Sequence, residues 1–397
     1  MNNSGFILAG WLIDGSGRSV QRNRVLHIKN GYIDFIKKAE KDGFNRAELL
    51  DFSDSTILPG LVDSHVHLSM SATNNQQDRK YQLVAGFDYI KDLISSHIKQ
   101  HFLSGVLAVR DGGDNKEHVL RYKTGHLNYK NTPISLKVAG SAWHKPGRYG
   151  KLIGRSPSGN DSIAQAIAKE NKKIDHIKIV NSGLNSLTLF GKETLPQFKK
   201  EELREVVELA QIRGLKVMVH ANGKKPVKIA VDSGCHSIEH GFFMGREVLK
   251  QMADNNVVWV PTACTMNAYS QFLKSTGIEA DVARKNLDHQ LEQIFQARES
   301  GVLIALGTDS GSLGVEHGKA VIEELKLLIK AGFPIQEAIK SATLNGARLL
   351  GLTNTGLLAE KMPATFLVVR GTPSDLPDSL NRIKTIYING THFNSLG

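Results

Sequence analysis

Two histidines one residue apart, His65-Val66-His67, follow the run Leu58-Pro59-Gly60-Leu61-Val62-Asp63-Ser64. Read as a strand, that spacing turns both imidazoles to one face, roughly 7 Å apart along the chain, where they can reach one metal ion. Four further residues stand in or at the ends of similar runs. Lys178 lies within residues 175–180, His220 follows Val217-Met218-Val219, His240 follows Ser237-Ile238-Glu239, and Asp309 follows Ala305-Leu306-Gly307-Thr308. Three or more nitrogen and oxygen ligands from separate strand ends make a hydrolytic metal site with an open position. The lysine is the odd member, because an ammonium cannot bind a cation. Carbamylated by CO2, it becomes an anion with two oxygens that can bridge two ions. Burial and neighbouring cations would hold it neutral enough to react.

Such a set works only if the backbone brings it to one place. Short apolar runs enter His65 and end at Val109, Val138, Val180, Val219, Glu239, Val260 and Leu306, eight in all. Between them lie helical stripes: Leu203, Val206, Val207 and Ala210 recur at i, i+3, i+4 and i+7, as do Ile335, Ala338, Ile339 and Ala342. Strands alternating with helices predict an α/β fold with a parallel sheet, and eight units predict a (β/α)8 TIM-like barrel over 57–354. An open doubly wound sheet is the rival, but no glycine-rich phosphate loop follows the first strand. The chain ends differ in style. Asn30-Gly31 and Asn389-Gly390 each separate apolar runs, a hairpin signal. Residues 1–56 and 355–397 are therefore expected to join in one small β-sandwich domain.

The 397 residues include 41% apolar and 22% charged side chains, which excludes a disordered chain. No apolar stretch approaches the ~18 residues of a membrane span. Residues 1–17 carry no signal-peptide pattern, and the two cysteines, Cys235 and Cys264, form no C-x-x-C pair. A cytoplasmic address is expected. The net charge is +11. Its longest basic runs are pairs such as Lys37-Lys38 and Lys224-Lys225, not interleaved with aromatic residues, so a small-molecule substrate is expected and nucleic acid is not.

Taken together, several segments resemble the amidohydrolase superfamily. They are Ile57 to His67, Val109-Arg110-Asp111-Gly112-Gly113, Ile177-Lys178-Ile179, Val219-His220-Ala221, Ser237-Ile238-Glu239-His240-Gly241, Gly307-Thr308-Asp309-Ser310-Gly311 and Ala342-Thr343-Leu344-Asn345-Gly346-Ala347. The chain looks most like the prolidase-like branch, binuclear zinc dipeptidases. That resemblance implies two divalent ions, zinc by preference. His65, His67 and Asp309 would hold the buried ion and His220 and His240 the outer one. Carbamylated Lys178 and a hydroxide would bridge both. Asp309 would take the proton of the attacking hydroxide and deliver it to the leaving amine. The resemblance also implies a homo-oligomer and hydrolysis of a C–N amide bond in dipeptides or N-acyl amino acids. Deaminases of the superfamily carry a Glu three residues after the fifth-strand His, where this chain has Gly223. Many prolidase-like relatives have His or Tyr where Asn222 stands, so a neutral amide, carbamate, urea or lactone is the second expectation, with Phe243 or Met244 shaping its pocket.

The loop 144–155 holds Lys145, Arg148, Lys151 and Arg155 and no acidic residue. At the mouth of a barrel, His144, Arg148 or Tyr149 would meet a substrate carboxylate. His317, in His317-Gly318, matches a His-Gly that similar proteins place near the active site. His236, four residues before His240, is expected at the far end of its strand, and His176 a layer below Lys178. His97, His101, His118, His126, His289 and His392 read as surface residues.

Overall fold

The computed structural model describes residues 5–39, 49–128, 133–273 and 277–394. The chain opens with β1 (Gly5–Leu12), β2 (Gln21–Lys29), β3 (Tyr32–Lys38) and β4 (Leu49–Pro59). β2 and β3 meet at Asn30-Gly31, both with positive φ (52° and 82°), the mirror-image turn whose twist suits a hairpin. The middle of the chain holds β5 (Leu61–Val66), β6 (Val106–Asp111), β7 (Ser135–Val138), β8 (Ala142–Trp143), β9 (Gly154–Arg155), β10 (His176–Val180), β11 (Lys216–Ala221), β12 (Ser237–His240) and β13 (Val258–Val260). The end supplies β14 (Phe366–Arg370), β15 (Ile383–Ile388) and β16 (Thr391–Asn394).

Both chain ends build one seven-stranded mixed sheet, ordered β16-β15-β14-β4-β1-β2-β3. The described pairings do not divide these strands into the two sheets of the expected sandwich. Its core packs Ile7, Leu26, Ile33, Ile57 and Phe366, with Phe366 stacked on Tyr387 at 4.6 Å. β4 runs through the 56/57 position at which the sequence reading divides the chain. Only Gly60 separates it from β5, so the sheet hands the chain straight to the first site strand.

Seven of the eight expected central runs are strands, parallel to their neighbours, in the orders β5-β6-β7 and β13-β12-β11-β10-β8-β9. The eighth, ending at Leu306, is tied by backbone bonds on both sides. Ala305 N donates to Trp259 O at 3.0 Å, and Ser64 N to Leu306 O at 2.9 Å. On the other side of the central strands, Asp175 N, just before β10, donates to Val138 O of β7 at 2.9 Å. Helices lie between the strands with their apolar stripes inward: Leu203, Val206, Val207 and Ala210 are the buried residues of helix Lys200–Ile212. The stripe begun at Ile335 continues through helix Ile335–Lys340 into a π-helical turn, Ser341–Asn345, burying Ala338, Ile339 and Ala342. Among the described residues no helix is long and apolar enough to cross a membrane.

Candidate metal centre and its cavity

The C-terminal ends of β5, β10, β11 and β12 and the segment after Leu306 converge on one cavity of about 340 Å3. Its lining includes His65, His67, Lys178, His220, His240 and Asp309, all six residues predicted as ligands. One potential ligand atom each from His65, His67 and Asp309 lies within 4.8 Å of the others. Asp309 Oδ1 stands 3.5 Å from His65 Nε2 and 3.3 Å from His67 Nε2. The His240 ring centre is 5.1 Å from that of His65 and 4.7 Å from that of His220.

Hydrogen bonds on the far side of each ring fix which nitrogen faces the cavity. His65 Nδ1 donates to Glu239 Oε2 at 2.8 Å and His67 Nδ1 to Gly113 O at 3.1 Å, leaving Nε2 of each with a lone pair. Thr262 Oγ1 donates to Pro261 O, so it accepts from His240 Nδ1 at 2.7 Å, and His240 also keeps Nε2 free. His220 is reversed: Nε2 donates to Gly183 O at 3.2 Å and leaves Nδ1. Neutral rings with one oriented lone pair are what a divalent ion requires. Among the six predicted ligands, two buried polar atoms have no hydrogen-bond partner, His65 Nε2 and Lys178 Nζ. Such atoms are costly unless a ligand satisfies them, so the donor set fits metal ions.

The strand period alone does not explain this convergence. In β12, Ser237 and Glu239 share one face, and alternation would send His240 to the other. His240 instead adopts φ +66°, which turns its ring back beside His65. Trp259 Nε1 and Gln290 Nε2 both donate to His240 O at 3.0 Å and hold that backbone. Asp309 has φ +59°, and its N–H donates to His65 O at 2.7 Å. Left-handed backbone in non-glycine residues costs on the order of 1–3 kcal/mol and persists where surroundings impose it.

Below the cavity lies a charged network. Arg110 Nη2 donates to Glu239 Oε1 at 2.8 Å, Nη1 to Ser237 Oγ at 3.0 Å and Nε to Ser64 O at 2.7 Å, all buried. Burial would raise the Glu239 pKa, but Arg110 and His65 outweigh it and hold the carboxyl well below its ordinary range. Burial lowers the Lys178 ammonium to about 8 and the His65 ring to about 4. Burial opposes ionisation of Asp309, yet the adjacent His67 and His65 rings keep it far below the usual carboxylate value. Arg110 and Glu239 stand in the quoted segments 109–113 and 237–241; their role was hidden because a strand pattern does not say which polar group meets which.

The predicted substrate residues divide. Tyr149 lines the cavity, 5.6 Å from the His220 ring, and Asn222 lines it too. The Asn222 side chain is spent on backbone, however: Oδ1 accepts from Phe242 N and Nδ2 donates to Gly183 O at 3.4 Å. His144 is a correction, being outside the lining with Nδ1 on Lys145 O and its ring packed under Gly150. So is Arg148, exposed and reaching outward to Leu195 O at 3.0 Å. His317 is buried against His97, rings 3.9 Å apart, and bonds His101 and Met70 O, so it lies behind the wall. His97 and His101 are therefore not surface residues, since helix Phe87–Leu103 turns that face inward; His118 is also buried and lines the cavity. His126 and His392 are exposed, and His289 is half-buried. His236 accepts from Val217 N at the entry of β11, away from the cavity, and His176 is buried two residues before Lys178. Phe242, rather than Phe243 or Met244, lines the pocket.

Sequence reading also missed Arg79 and Tyr269, both in the lining. They sit on helices Gln76–Val84 and Cys264–Phe272, inside connections whose course no motif announces.

Comparison with known proteins agrees with this geometry. Residues 56–392 match the amidohydrolase family model. Ochratoxinase of Aspergillus niger is 26% identical over 404 residues, covering 92% of this chain and 81% of that protein. A Xaa-Pro dipeptidase solved with methionine in its active site superposes with TM-score 0.80 at 27% identity, covering 98% of this chain and all of the other. Molinate hydrolase shares the fold, with TM-score 0.76 at 16% identity over 99% and 95% of the two chains. The chain belongs to the amidohydrolase family, a hydrolase of carbon–nitrogen bonds with its solved likeness in the prolidase-like branch.

Proposed function

We propose that this protein is a metal-dependent amide hydrolase, built on a (β/α)8 barrel, that cleaves dipeptides or N-acyl amino acids. The observation that carries the reading is the meeting of three free His Nε2 atoms, Asp309 and the unpartnered Lys178 Nζ at one cavity floor. His65, His67 and Asp309 would hold one divalent ion, His220 and His240 a second, and carbamylated Lys178 both; zinc suits this nitrogen-rich set. Carbamylation joins neutral Nζ to CO2 and releases one proton. When bound, the ions supply Lewis acidity that lowers the pKa of water and polarises the scissile carbonyl.

The chain's own groups do the rest. Asp309 accepts a proton at its carboxylate and returns it to the leaving nitrogen, while Ser312 Oγ, 2.9 Å from Oδ2, fixes its orientation. Met70, Leu83, Leu152, Ile153, Leu187 and Phe242 give the cavity apolar walls that suit an apolar substrate side chain. A second reading, a neutral amide, carbamate, urea or lactone, is favoured by Asn222, whose side-chain amide already serves the backbone. The test is a ninhydrin screen of zinc- and bicarbonate-loaded protein against dipeptides, N-acyl amino acids and their neutral amides. Release of free amino acid that stops on chelation is expected; no turnover by metal-replete protein would defeat the first reading.

A further inference from the structure

Apart from Lys178 at the floor, Arg79 is the one Lys or Arg in the cavity lining among the described residues. It is half-buried, and no carboxylate lies within ion-pair distance of it among the described residues. Its contacts are backbone carbonyls: Nη1 donates to Ser71 O at 2.8 Å and to Thr73 O at 3.5 Å, and Nη2 to Gly311 O at 3.1 Å. A guanidinium has five N–H donors, so these leave Nε–H and one Nη2 hydrogen unused. The head is held in advance. Gln82, one turn along the same helix, accepts from Ser71 N at 2.9 Å through Oε1 and fixes the carbonyl that Arg79 uses.

Its surroundings point to an anion. The Gly311 carbonyl that Arg79 holds is two residues from Asp309, and Tyr149 and Tyr269 line the same cavity. Neither phenol hydroxyl has a hydrogen-bond partner among the described residues, although both rings line the cavity. One guanidinium and two phenols thus share a cavity with Asp309, the group that serves the leaving nitrogen. In an N-acyl amino acid or dipeptide the α-carboxylate lies one carbon from that nitrogen.

Resting on the amide-hydrolase reading, we infer that Arg79, with Tyr269 beside it, is the anchor for the α-carboxylate of the departing amino acid. The planar fork matches a carboxylate, and its pre-set position lowers the ordering cost of binding. This assigns carboxylate recognition to the first and seventh strand–helix connections rather than to the basic loop 144–155.

The test measures binding of N-acetyl-L-phenylalaninate and N-acetyl-L-phenylalaninamide to the metal-loaded protein by titration calorimetry. Wild type is expected to prefer the carboxylate by roughly 10- to 100-fold, the worth of a charged hydrogen bond. In Arg79→Met the ratio of affinities should fall to within about twofold of one, Arg79→Lys should restore part of it, and Tyr269→Phe should lower it less. No preference in wild type, no binding of either probe, or equal weakening of both probes in Arg79→Met would overturn the inference; the last result would mark Arg79 as a tether between loops. Should Arg79→Met not fold, the Arg79→Lys and Tyr269→Phe ratios decide the matter. Hydrolysis of neutral amides without carboxylate preference would sink the anchor and spare the hydrolase; preference without any hydrolysis would do the reverse.

Discussion

His65, at the cavity floor, is held by Glu239, which is held in turn by Arg110 and Ser237, whereas the hydroxyls of Tyr149 and Tyr269 in the same cavity have no hydrogen-bond partner among the described residues. Leu152 and Leu184 on its rim are more than half exposed, while Lys178 at the floor is 1% exposed. The floor is thus a lattice in which His65, Glu239, Arg110 and Ser237 hold one another, with His65 Nε2 and Lys178 Nζ left free. The rim supplies shape and unpaired donors. A catalytic centre needs the first arrangement, because a misplacement of about 1 Å can cost two orders of magnitude in rate. Substrate choice needs the second, because loops tolerate change.

The contrast can be broken most severely at the floor. His65→Ala should abolish metal binding at the buried position and lower kcat at least about 1000-fold, roughly 4 kcal/mol of barrier, with elemental analysis as the check. Glu239→Gln should weaken metal roughly 10- to 100-fold in chelator competition through loss of the His65 partner. It should also cost about 3–5 kcal/mol in urea unfolding, since Arg110 would be buried without its anion. Gly112→Ala sharpens the same point. A Cβ there would stand 2.7 Å from His67 Cε1, so the ring must move; a loss of about 1–3 kcal/mol is expected by thermal melt. Arg148→Ala, at the outer rim, should change stability and kcat/KM by no more than about 0.5 kcal/mol.

The floor was legible in the sequence because metal chemistry restricts residue type, and strand ends restrict place. His65, His67, Lys178, His220, His240 and Asp309 were all named from their runs, and all six line the cavity. Helix Lys200–Ile212 was legible through its 3.6-residue period. The left-handed turns at His240 and Asp309 were not, since nothing in those residue types announces them. Nor was the rim. His144 and Arg148 have the right chemistry for a carboxylate, but the loop turns them to Lys145 O and Leu195 O, and only Tyr149 reaches inward. His97, His101 and His317 were misplaced because helical position alone does not tell which face packs when its polar residues find one another.

The central claim, that this floor holds two ions bridged through a modified Lys178, is tested most directly by titrating metal-free protein with zinc in 13C-bicarbonate. Two equivalents bound per chain, with a carbamate carbon resonance that disappears in Lys178→Ala, are predicted. One equivalent or none, or zinc binding with no such resonance, would contradict it.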